Sequence, residues 1–168
     1  MAEQQLAKKI NVLRSAEQGL SLSGAFNISD FPRLVSTLTD SSGEIHVDLQ
    51  FGIDEEGLRY IKGPIKTEVE QTCQRCMQPV KLAIEAELCV SPVLSDAQAS
   101  SIPSHYEPVI VEREGQELLP IIEDELILQL PMIALHDNET CRVKPIEESQ
   151  TTTDSVNNAF REKLSTLK

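Results

Sequence analysis

Cys73, Cys76, His136 and Cys141 have the types and spacing of a metal-binding set. A Cys-x-x-Cys pair between two strands can place two thiolates on one zinc ion, and a structural zinc takes four such ligands. The His-x4-Cys pair, His136 and Cys141, would complete a Cys3His set. Two other readings stay open. The thiols could be inert small side chains that stabilise a turn. They could also form a redox pair, but redox-active pairs of this spacing open a helix beside a βαβ unit. Here Pro79 and a strand follow instead. Cys89 falls on the polar side of that strand, roughly 30 Å from the pair if the strand is straight. It is therefore left out of the set.

Other chemistry is poorly represented. The chain has no Gly-rich phosphate loop, no HExxH and no GxSxG. Glu123, Asp124 and Glu125 are adjacent on a helical stretch, and adjacent helical residues do not face one another. They read as a solvated acidic face that a partner could contact. His46 points outward from its strand, and His105 lies in a polar loop. No catalytic residue is assigned, and the chain reads as a non-enzyme.

These residues need elements to hold them. Ile28–Leu38 reads as a short helix with Ser29 or Asp30 as cap and Pro32 in its first turn. Glu44–Ile53 alternates cleanly, with Ile45, Val47, Leu49, Phe51 and Ile53 on one side, as a half-buried strand does. A second strand is expected from Leu58 to Cys73, with Gly63-Pro64 marking an edge or a bulge. A third runs from Val80 to Val90, so the Cys-x-x-Cys pair sits in the link between the two. Val109–Val111 suits one more short strand. Glu117–Leu130 has helical spacing, with Pro120 in the first turn and Pro131 at the end. The expected class is α+β: an antiparallel β meander or partly closed barrel-like sheet with a packed helix in the C-terminal half. One domain is expected over 1–143, with a flexible polar tail over 144–168. In that tail Val156, Phe160, Leu164 and Leu167 recur at helical spacing, and Phe160 and Leu164 are candidates for partner contact.

The 168 residues carry a net charge of −12. Such a chain repels the phosphate backbone and attracts basic proteins. Eleven acidic and three basic side chains fall between Tyr106 and Ser149, so most of the excess lies there. Lys62, Lys66 and Arg75 form a short basic strip that could touch RNA phosphate, although neighbouring acids favour cross-strand charge pairs. No stretch approaches the roughly 20 apolar residues of a membrane helix, and no signal peptide is evident, so a cytoplasmic location is expected.

Three stretches make the sequence familiar: TCQRCMQPV at 72–80, CVSPVLSDAQASSIPSHYEPVIV at 89–111 and EDELILQLPMIALHDNETC at 123–141. With the tail motif NNAFREKL, they resemble the YceD family, the large ribosomal RNA subunit accumulation proteins. The resemblance implies a non-catalytic role in synthesis, processing or stability of 23S ribosomal RNA. It also implies a large-subunit ribosomal protein or pre-50S particle as partner. Direct contact with 23S precursor RNA is the alternative.

Overall fold

A computed structural model describes residues 10–112, 117–137 and 141. The order is α1 (Val12–Gln18), β1 (Ser21–Asn27), a 3-10 turn (Ile28–Asp30), α2 (Pro32–Val35), β2 (Glu44–Ile53), β3 (Arg59–Thr72), β4 (Pro79–Val93), α3 (Asp96–Ala99), β5 (Glu107–Ile110) and α4 (Leu118–Gln129). The five strands form one open sheet in sequence order. The first three pairings are antiparallel, and β5 returns parallel to β4. The class is therefore α+β, with the open form of the meander.

Alternation builds the sheet. In β2 the residues Ile45, Val47, Leu49 and Phe51 are buried while His46, Asp48 and Gln50 are exposed. In β3, Ile61, Ile65 and Val69 repeat the pattern, and in β4 so do Ile84, Ala86, Leu88 and Val90. The apolar face joins one core with Val12 and Ala16 of α1, Leu34 of α2, and Leu118, Ile122 and Leu126 of α4. The other face carries charges paired across strands: Lys66–Glu85 at 3.1 Å and Lys81–Glu68 at 3.2 Å.

Ile53, expected on the buried side of β2, is 49% exposed at the strand's end, and two further features differ from the sequence expectation. The Gly63-Pro64 break is neither an edge nor a bulge, because β3 is the central strand. Pairing with β2 stops after Val47↔Ile65 and resumes at Gln50↔Lys62 in the same register. Pro64 has no N–H to give to a ladder. Gly63 has φ +141, and a Cβ there would lie 2.1 Å from the Asp48 carbonyl oxygen, so glycine alone fits the gap. The second difference is the helix expected over 28–38, which is split into the 3-10 turn and the four-residue α2.

Neither Ser29 nor Asp30 caps α2; a distant carboxylate does. Glu123 of α4 is 5% exposed and accepts from the Arg33 N–H at 2.7 Å and the Leu34 N–H at 3.1 Å. The Arg33 Nε–H donates to its other oxygen at 2.9 Å. A carboxylate is well suited to the unpaired N–H groups at a helix start. The same contact fixes α4 against the segment before β2. Asp124, exposed, receives only the outer Arg33 Nη2–H.

Glu123→Ala would leave the buried Leu34 N–H and the part-buried Arg33 N–H without this acceptor, and hydrogen bonds to charged groups contribute about 1.5–3 kcal/mol each. After discounting the exposed guanidinium, urea unfolding is expected to show a loss of about 2–4 kcal/mol for Glu123→Ala and under about 1 kcal/mol for Asp124→Ala. Equal losses would contradict the capping role.

Candidate metal centre

The β3–β4 hairpin ends at the pair Thr72↔Pro79. Its link is a tight knuckle: the Cys73 N–H donates to the Gln78 carbonyl and the Met77 N–H to the Cys73 carbonyl, both at 2.9 Å. Cys73 and Cys76 leave this knuckle toward the segment after α4. That segment is held by the Gln74 N–H, which donates to the Ala134 carbonyl at 2.9 Å. Pro131 ends α4 and turns the chain back, so His136 and Cys141 arrive opposite the two cysteines. Cys73, Val80, Ala134 and Cys141 make a small buried cluster apart from the main core.

The ligand atoms of Cys73, Cys76, His136 and Cys141 all lie within 4.8 Å of one another. The Cys73 and Cys141 sulfurs are 3.5 Å apart, as are the Cys76 sulfur and His136 Nδ1. His136 Nε2 lies 2.9 Å from the Pro79 carbonyl, which can only accept. A proton is thereby placed on Nε2, and the neutral ring presents its Nδ1 lone pair to the sulfurs. This is the outer contact that orients metal-binding histidines. The cluster could hold a metal such as zinc, and four protein ligands without an open position suit a structural ion.

The electrostatics favour thiolates. Burial opposes the charged Cys73, yet the N–H groups of Cys76, Arg75 and His136 and the Cys141 side chain bring its pKa down to about 5. Burial likewise opposes the Cys141 thiolate, but the Arg75 hydrogen bond leads the groups that pull its pKa below the usual thiol range. Cys76 is pushed up: the Gln78 N–H works against this, but burial and the neighbouring Cys141 and Cys73 outweigh it. His136 is raised by Cys141 and Cys73. Arg75 donates from Nε to the Cys141 sulfur at 3.2 Å and from Nη2 to the His136 carbonyl at 2.8 Å. A divalent ion with three thiolates and a neutral imidazole carries one negative charge, and Arg75 offsets it.

The remaining candidates are not gathered together. Cys89 stands apart, its thiol donating to the His105 carbonyl at 3.3 Å. Of the acidic trio, Glu123 is buried rather than on a solvated face, because it caps α2; Asp124 is exposed, and Glu125 accepts from Gln129 at 3.2 Å. The basic strip is divided. Lys62 and Lys66 lie on the outer sheet face, Lys62 above the Tyr60 ring at 4.8 Å and Lys66 paired with Glu85. Arg75 faces the cysteines. Its role in the cluster was not foreseen; its only sequence signal is its place between the two cysteines. Phe160 and Leu164 lie outside the described residues.

Residues 61–168 match the family described as large ribosomal RNA subunit accumulation protein YceD. A protein of that description from Haemophilus influenzae is 32% identical over 149 residues, which is 88% of this chain and 86% of its own length. No solved structure matches. The matched segment contains all four candidate ligands.

Elemental analysis of purified protein is expected to find about one zinc per chain, since four donors complete one tetrahedral site. Cys73→Ser, Cys76→Ser, His136→Ala and Cys141→Ser should each lower the metal content and the melting temperature, because metal binding stabilises the fold it requires. Cys89→Ser should change neither. Full metal content in a Cys73→Ser, Cys141→Ser double variant would refute the assignment.

Proposed function

The chain belongs to the YceD family of large ribosomal RNA subunit accumulation proteins, and from that premise we propose that it is a non-catalytic assembly factor. In this reading it supports 23S ribosomal RNA and the large subunit by binding a basic ribosomal protein or the precursor particle in the cytosol. The supporting observation is how the chain uses its own charges. Arg33 is engaged by Glu123 and Asp124, Arg59 by Glu17, Lys66 by Glu85, Lys81 by Glu68, and Arg75 by the sulfur cluster. The net charge is −12. Cations already paired within the chain are poor phosphate contacts, whereas the acidic excess draws a basic partner.

The contact surface in this reading includes exposed Asp124 and its neighbour Glu125. The metal centre is structural: it fixes the segment that follows α4 and so the setting of this acidic edge. Among the described residues no helix is long and apolar enough to cross a membrane.

The test is a tagged pull-down from growing cells at low and high salt, with protein and RNA identified together. Large-subunit precursor or one basic ribosomal protein should be recovered, and the yield should fall as salt rises. Asp124→Lys with Glu125→Lys should reduce recovery, while Lys62→Glu with Lys66→Glu should have little effect. The reverse ranking would favour direct binding to 23S precursor RNA, and recovery that does not respond to salt would overturn the charge-driven reading.

A further inference from the structure

Eight large apolar side chains are exposed among the described residues, and they are unevenly placed. Leu128, Met132, Ile133 and Leu135, at the end of α4 and just past it, are 71%, 97%, 59% and 40% exposed. Met77 on the knuckle, 70% exposed, borders the same groove as Met132. Exposed apolar residues scattered singly are ordinary, whereas several gathered at one place mark an interaction surface.

This strip is anchored, not frayed. The Leu130 N–H donates to the Ile127 carbonyl at 3.2 Å. Ala134, buried between the exposed Ile133 and Leu135, accepts from the Gln74 N–H at 2.9 Å. The backbone is thereby tied on both sides of Met132 and Ile133 while their side chains stand in water. Beyond the two methionines the groove is lined by Ser36, Thr37, Thr39 and Gln71, so the strip ends at a polar rim. An apolar centre with a polar rim is the usual anatomy of a protein contact.

The charge around the strip indicates what covers it. Between Leu118 and Asp137 the sequence has four acids and no lysine or arginine. Glu123 is turned inward to cap α2. Asp124 and Glu125 stand one helical turn before Leu128 and share its side of α4. Asp137, exposed, follows the strip at its other end. Arg33 engages Asp124, and the local balance stays acidic. Such a surface repels RNA and anionic membranes. It matches, in both charge and polarity, a protein segment with lysines or arginines set among apolar side chains.

We infer that the Leu128–Leu135 strip docks a cationic amphipathic segment of a protein partner. The partner's apolar side chains cover Leu128, Met132 and Ile133, and its basic side chains meet Glu125, Asp137 and the free side of Asp124. Methionine suits this task, because its flexible, polarisable side chain adapts to the surface it meets. The inference rests on the reading of a basic protein partner and adds an apolar anchor to it. Charge brings the partner in, and the anchor slows its release.

The probe is a fluorescent synthetic helix of leucine and lysine at amphipathic spacing, with a control peptide that has serine in place of each leucine. Binding to the full-length, metal-loaded protein would be followed by anisotropy. The leucine peptide should bind more tightly than the serine peptide. Leu128→Ser and Met132→Ser should each weaken it by roughly tenfold, the worth of burying one such side chain, and should leave the serine peptide's affinity unchanged. Both side chains are exposed, so melting temperature and metal content should match the parent. Asp124→Lys with Glu125→Lys should weaken both peptides and flatten the salt dependence. Equal affinity of the parent and a Leu128→Ser, Met132→Ser double variant for the leucine peptide would overturn the inference and leave the charge-driven reading standing. Concentration-dependent dimerisation of the parent that Leu128→Ser abolishes would also overturn it, by assigning the strip to a second copy. Normal peptide binding with no ribosomal component in the pull-down would instead count against the ribosomal reading alone.

Discussion

The three sulfur atoms of Cys73, Cys76 and Cys141, which lie with the His136 imidazole within 4.8 Å of one another, repel strongly if all three are thiolates. Two like charges about 4 Å apart repel by about 4 kcal/mol at an effective dielectric near 20. The surroundings nonetheless favour thiolate at Cys73 and Cys141, through backbone N–H groups and the Arg75 guanidinium. A divalent metal ion held by the four residues would resolve this conflict. It would also account for a buried cluster separate from the main core at the hairpin end of the sheet. The hairpin knuckle and the segment after α4 come from distant parts of the sequence, and the shared ligand set joins them.

A second long-range tie holds the middle of α4. The Glu123 carboxylate caps α2 and binds Arg33 across about half the chain. With these contacts in place α4 lays Leu118, Ile122 and Leu126 on the core. Asp124 is thereby presented to solvent. Past the end of the helix, Pro131 and Met132 are turned toward the knuckle. The arrangement confines the chemically distinctive surface to the region shared by the knuckle and the segment after α4.

Much of this was legible in the sequence where a short-range rule governs. The alternation of Glu44–Ile53 gave β2 its bounds, and the prolines at 120 and 131 bracketed α4. Cys-x-x-Cys with His-x4-Cys named the four residues that meet. What escaped depends on contacts that no local pattern encodes. The seven-residue α1 has only its Asn11 cap and Gly19 stop to announce it, and β1 is diluted by serine and glycine. Glu123 resembles its acidic neighbours until Arg33 and the start of α2 are placed beside it. Pro64 belongs in a central strand because Gly63 opens the ladder with β2 there. Arg75 read as part of a basic strip, yet the tight knuckle turns it to the sulfurs.

The central claim is that one metal ion joins the hairpin knuckle to the segment after α4. Zinc-edge X-ray absorption on the protein as purified tests it most directly. The account predicts three sulfur neighbours near 2.3 Å and one nitrogen near 2.0–2.1 Å, the distances of a closed Cys3His site. A shell of oxygen and nitrogen donors, or protein that is folded and free of metal, would contradict it.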